Sequence, residues 1–116
     1  MVIGHKDDVV AVIHNDGVNV IGTSLKKAIG PEEGWEDYVL RFVEVAPKGQ
    51  SFDHIHPWPH INYYIKGNGM LTIEGEQYPV CEGMYTFVPA DKQHQWKNTS
   101  DEKLEFICIV PKEGHK

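Results

Sequence analysis

Cysteine is scarce in this chain: Cys81 and Cys108 are its two, and they stand in no Cys-x-x-Cys spacing. A disulfide framework, a zinc ribbon and a dithiol redox motif are therefore excluded, and free thiols are expected. Long hydrophobic runs are also missing, since nothing approaches the roughly 18 apolar residues that would span a bilayer. Met1 to Val12 lacks the basic start and apolar centre of a secretion signal. A cytoplasmic protein without a membrane partner is the expectation. Basic charge is thin, with 11 Lys and Arg against 17 Asp and Glu and a net charge of −6. No nucleic-acid partner is expected, because binding a phosphate backbone needs a concentrated basic surface. No internal repeat is evident either. With 41% hydrophobic and 24% charged residues over 116 positions, the composition excludes disorder and fibrous architecture. One domain with one core, spanning residues 1–116, is what such a length allows.

What the chain does have is short alternating segments separated by glycine, proline and asparagine, the pattern of an antiparallel β domain. Val9 to His14 and Val18 to Gly22 flank Asn15-Asp16-Gly17, residues that tolerate the positive φ of a hairpin turn. Ser24 to Ile29 reads as a further strand, because a capped helix of that length would not persist alone. Tyr38 to Val45 alternates and is expected to end at Pro47-Lys48-Gly49. Tyr63 to Lys66, Met70 to Glu74, a strand entered at Tyr78 after the Gly75-Glu76 reversal, Tyr85 to Val88, Gln93 to Asn98 and Lys103 to Val110 complete about ten strands. That number closes a barrel or builds a two-sheet sandwich.

Four of the seven histidines carry the chemistry. His54 and His56 are two apart in a predicted strand, so both imidazoles leave the same face. Pro57-Trp58-Pro59 must then bend the chain, since proline fixes φ and withholds a ladder donor, and His60 opens the next strand. Far along the chain, His94 begins a strand after Pro89-Ala90-Asp91 and can reach the others only if the barrel closes.

These residues fall in the two motifs of the cupin superfamily, which the chain resembles from about Tyr38 to Val110. In the first, G-x5-H-x-H-x3,4-E-x6-G, the corresponding places are held by Gly49, His54, His56, His60 and Gly67. The gap after Gly49 is one residue short, and His60 replaces the usual glutamate. In the second, G-x5-P-x-G-x2-H-x3-N, they are held by Gly83, Pro89, His94 and Asn98, with Asp91 replacing the middle glycine. Fifteen residues separate Gly67 from Gly83, a spacing similar to that of compact single-domain cupins. The resemblance implies an all-β double-stranded β-helix, the jelly-roll cupin barrel. Residues 35–110 would form its core, and residues 1–34 would supply N-terminal strands exchanged in a homodimer.

Within the superfamily, the run from His54 to His60 and the ending from Glu105 to Gly114 are similar to the small four-histidine cupins. That likeness implies one divalent transition metal per chain, manganese or iron first, held by His54, His56, His60 and His94. Imidazole ligation suits cobalt, nickel, copper and zinc as well. If Ile61 rather than His60 takes the place of the glutamate, His60 faces solvent and three histidines remain. Four neutral imidazoles leave a divalent site with about two positive charges, against about one with a carboxylate ligand, so an anionic small-molecule ligand is expected.

Arg41 lies in an apolar strand and points either inward, where its guanidinium can hold a substrate carboxylate, or outward as a surface arginine, and Trp96 shares the face of His94, as a pocket wall or as packing. Phe106 and Cys108 alternate on one face of the last strand and are further candidates for the substrate pocket. His5, His14 and His115 lie outside both motifs and are read as solvated. Three functions follow. The first is an oxygen-using oxidoreductase acting on a small anionic or oxygenated molecule. The second is a non-redox isomerase, lyase or sugar-acid ring-opening enzyme. The third is a binding or sensing module without turnover, because fold does not fix function.

Overall fold

Alternating apolar residues and tight turns curl the chain into one antiparallel sheet, which the computed structural model describes over residues 1–115. Among these residues run nine strands: β1 (Val12–His14), β2 (Ile21–Ile29), β3 (Tyr38–Gln50), β4 (His60–Lys66), β5 (Asn68–Ile73), β6 (Glu76–Cys81), β7 (Tyr85–Val88), β8 (His94–Lys97) and β9 (Leu104–Pro111). Short 3-10 turns occupy Lys6–Asp8, Pro31–Glu33 and Lys112–Gly114. No helix among the described residues is long and apolar enough to cross a membrane.

The strands hydrogen-bond in the order β6-β5-β8-β3-β9-β4-β7, with β2 on the other side of β3 and β1 outside β2. β3 holds the two halves together. It lies between β2 and β9 over Leu40 to Val45, then bends so that Gln50 pairs with Lys97 of β8. The expected double-stranded β-helix is the result. Its interior is filled by alternate residues, Leu104, Phe106, Cys108 and Val110 from β9 facing Val39, Val43 and Val45 from β3. Phe106 packs its ring 4.7 Å from Trp96 and 5.3 Å from Tyr64. Burying side chains of this size stabilises by about 1.5–3 kcal/mol each.

Several element boundaries differ from the sequence expectation, each for a local reason. Asn15-Asp16-Gly17 does not make a two-residue hairpin. The Asp16 carboxylate accepts from the backbone N–H groups of Val18, Asn19 and Val20, so the loop is wider and β1 pairs with Thr23 to Leu25 instead. The segments expected at Val18–Gly22 and Ser24–Ile29 merge into β2, with a bulge where Gly22 takes φ 59. Pro47-Lys48-Gly49 does not end β3, which absorbs Lys48 at φ 63 and continues to Gln50. The merger into β2 turns about ten expected strands into nine among the described residues.

Gly67 tests how tightly the barrel is drawn. It sits at φ 87, and a Cβ there would run into the Lys103 carbonyl and the Leu104 backbone. Gly75 has a similar φ of 81 with open space around it. Gly67→Ala is expected to lower unfolding free energy by about 2 kcal/mol or more, and Gly75→Ala by about 1 kcal/mol. Denaturant titration checks this. Equal losses would mean that the close approach contributes nothing.

Candidate metal centre

The histidines arrive from three pieces of backbone: the loop that carries His54 and His56, the start of β4 and the start of β8. His60 opens β4 and His94 opens β8, and each is only 3% exposed. His54 is not in a regular strand. It exchanges two backbone hydrogen bonds with His94, at 2.9 and 2.8 Å, as an isolated bridge. His56 lies outside any ladder, in the bend made by the prolines, where its carbonyl accepts from the Asp91 N–H at 2.8 Å. Asp91 holds φ 63, which explains why a glycine usually stands there in the motif and why aspartate, tolerant of that region, can replace it.

A chain of hydrogen bonds sets which nitrogen of each imidazole is free. The Trp96 indole can only donate, and it donates to the Tyr64 hydroxyl oxygen at 2.8 Å. The Tyr64 proton is then directed to Thr86 Oγ1 at 3.0 Å, and Thr86 in turn donates to Asn62 Oδ1 at 3.1 Å. Asn62 Oδ1 also faces His60 Nδ1 at 3.1 Å, so that nitrogen must carry a proton. His94 Nδ1 donates to the Lys92 carbonyl at 2.9 Å, and His56 Nδ1 to the Trp58 carbonyl at 3.0 Å. In all three rings Nε2 is therefore the unprotonated nitrogen, the usual arrangement of metal-ligating histidines.

Those free nitrogens point at one another. His60 Nε2 and His94 Nε2 are 3.1 Å apart, and ligand atoms of His56, His60 and His94 all lie within 4.8 Å. Two lone pairs at that distance repel unless a cation sits between them. A proton is a poor choice, because burial, and next the charge of His94, pushes His60 down to about 3. Burial likewise lowers His94. A separation of 3.1 Å is short enough for one ion to reach both nitrogens at ordinary metal–imidazole distances. The donor set fits a divalent transition metal, and His60 is part of it although glutamate is usual there.

His54 stands apart from the tight three. Its ring centre is 6.0 Å from that of His56 and 6.3 Å from that of His94, while His56–His94 and His60–His94 are both 4.8 Å. The His54 ring stacks on Phe52 and, lowered chiefly by burial and next by His56, is neutral near pH 7. Beside the cluster opens a cavity of about 450 Å³, walled by Arg41, Trp58 and Trp96. Phe106 and Cys108 lie one layer behind that wall in the core, where Cys108 Sγ accepts from Arg41 Nη2 at 3.1 Å.

Five contributors were not recognisable from the motifs. Asn62, Tyr64 and Thr86 orient His60 from behind, and nothing in their spacing announces this. His14 lines the cavity because β1 folds over β2, and half-buried His115 follows Gly114, which also lines it. Reading both as solvated histidines is corrected here: sequence distance from a motif says nothing about spatial distance once the sheet closes.

The cupin domain profile matches residues 41–110, more than half of the chain. This chain belongs to the cupin family. Over 65 residues the cupin is 31% identical to dimethylsulfoniopropionate lyase DddW of Ruegeria pomeroyi, a match covering 56% of this chain and 43% of that protein. Over 77 residues it is 31% identical to 1-methylthio-D-xylulose 5-phosphate methylsulfurylase of Rhodospirillum rubrum, covering 66% and 49%. The chain thus spans about half the length of the curated relatives it matches. The polyketide cyclase RemF from Streptomyces resistomycificus superimposes with a TM-score of 0.86 at 26% identity, covering 96% of this chain and 79% of that one. In this cupin fold three histidines lie within metal-binding distance, a set suited to one ion.

Two outcomes follow from the hydrogen-bond chain and from burial. Asn62→Leu removes the acceptor that fixes His60 but no ligand, so metal affinity is expected to fall about 10- to 100-fold in a chelator competition. Unchanged affinity would show that the relay does not orient the ligand. For metal-stripped protein the sign is set by His60, whose folded-state value lies near 3 against 6.5 unfolded. Stability is full above about pH 6.5 and is lost as pH falls toward 3, at up to about 1.4 kcal/mol per pH unit. Thermal unfolding with chelator between pH 7.5 and 5 reads this slope. A flat profile would contradict the assigned neutral, buried state.

Proposed function

We propose that this cupin is a metal-dependent enzyme acting on a small oxygenated organic molecule by non-redox chemistry, of the lyase or isomerase type. The observation that carries the reading is the convergence of three unprotonated Nε2 atoms at one side of a ligand-sized cavity. His54 serves as the fourth ligand in this proposal, and manganese or iron as the resident metal. A bound divalent ion supplies Lewis-acid polarisation of a substrate oxygen.

The rest of the work falls to the chain's own residues. Trp58 and Trp96 wall the cavity and keep water from the reacting centre. His14, a cavity imidazole outside the ligand set, is placed to take and return a proton at its ring nitrogen. Non-redox chemistry is favoured over the oxygen-using alternative by the names of the relatives, a lyase and a methylsulfurylase, and of the structural neighbour, a cyclase.

An oxygen electrode and product analysis by NMR, run on the manganese, iron, zinc and copper forms with a panel of small hydroxy and keto acids, separate the classes. Turnover without oxygen uptake is expected, and it should persist with redox-inactive zinc. Oxygen consumed in step with substrate would transfer the chain to the oxidoreductases. Binding without turnover in every metal form would make it a sensing module. His14→Gln is expected to lower kcat about 100-fold while leaving the metal content unchanged.

A further inference from the structure

Arg41 is the chain's only arginine, and it stands in the cavity wall. Buried or interfacial guanidinium groups are normally matched by carboxylates, yet this one is not. Among the described residues none of the seventeen Asp and Glu lines the cavity, and no ion pair involves Arg41. Lys27, its neighbour across the β2–β3 ladder, has the carboxylates of Glu32 and Glu33 at 3.7 and 3.5 Å. Arg41 has instead a thiol, a weak acceptor, on Nη2.

A second observation lies beside it. Among the described residues two buried side-chain polar atoms have no hydrogen-bond partner, and they are Arg41 Nε and His115 Nδ1. Gly114, next to His115, lines the same cavity and is packed against Trp58, so the turn at Lys112–Gly114 closes that end of it. Arg41 is near enough for its charge to act on His115 as well as on His54 and His60. A cavity walled by histidines and one guanidinium, with no carboxylate in its lining and with Arg41 Nε unpartnered, has the chemistry to receive an anion. In a chain of net charge −6 this local surplus of positive charge is a feature of the site and not of the composition.

We propose that Arg41, with His115 beside it, anchors an oxyanion head group, carboxylate or phosphate, of a molecule whose other end reaches the histidine cluster. The planar fork of Arg41 offers Nε and a terminal nitrogen to two equivalent oxygens, and the His115 ring nitrogen takes a third position. The substrate class is then a small bifunctional molecule, anionic at one end and bearing a hydroxyl or carbonyl oxygen at the other. This deepens the metal-enzyme reading and rests on it for the far end of the molecule only.

The test is calorimetric titration of the metal-loaded full chain with succinate and, separately, inorganic phosphate, repeated on Arg41→Gln, Arg41→Lys and His115→Gln. Expected are at least a tenfold loss of affinity in Arg41→Gln, a smaller loss in Arg41→Lys and in His115→Gln, and one metal per chain throughout. In anion-free buffer Arg41→Gln should melt at the same temperature as the parent or higher, since it removes a half-buried charge that has no carboxylate partner. Binding of succinate alone identifies a carboxylate head group, and of phosphate alone a phosphate. The proposal is overturned if neither anion binds the parent, if Arg41→Gln keeps its affinity within twofold, or if it unfolds without anion, which would make Arg41 a structural residue. A chain that binds anions through Arg41 but holds no metal would sink the metal-enzyme reading and leave the anchor standing.

Discussion

The site depends on one unfavourable contact, the approach of two unprotonated imidazole nitrogens to 3.1 Å inside a barrel. His60 and His94 cannot turn away, because each has its other nitrogen committed to an oxygen on the barrel wall. They cannot escape by taking a proton near neutral pH, because both are buried. A cation held between them would turn this repulsion into coordination. The three nitrogens are thus held in place by the rigidity of the wall and not by adjustment of the side chains.

That rigidity comes from the core itself. The relay from Trp96 through Tyr64 and Thr86 to Asn62 runs among residues that are also packing neighbours, with Tyr64 and Asn62 fully buried. Every donor in it finds one acceptor, so its direction is unambiguous. The aromatic cluster of Trp96, Phe106 and Tyr64 fixes the positions of the hydroxyl and indole groups, and those fix a ring nitrogen on β4. Core packing and the placing of the histidine nitrogens are one constraint seen from two sides.

On its open side the same wall shows the opposite character. The relay leaves no polar atom unmatched, whereas Arg41 Nε in the cavity wall and His115 Nδ1 in the turn that closes one end of the cavity have no partners among the described residues. Unmatched buried polar atoms are costly to keep and concentrate where a ligand completes them. The contrast divides the barrel into a finished support and an unfinished receptor.

The sequence by itself determined the class of fold and the histidines worth watching. Alternation with period two and glycine at Gly49, Gly67 and Gly83 are local properties, readable one residue at a time. Element boundaries were less legible, because Asp16 capping a loop and Gly22 absorbing a bulge are answers to strand pairing and not to local propensity. Only the tertiary structure decided that His56, His60 and His94 form the tight group with His54 beside it. It also decided that Phe106 and Cys108 stand behind the wall while His14 reaches the cavity and the turn before His115 closes one end of it. The reason is physical: alternation tells which face of a strand a side chain leaves, but which strands share that space is set by long-range pairing, and the distance between two rings is a property of the closed barrel alone.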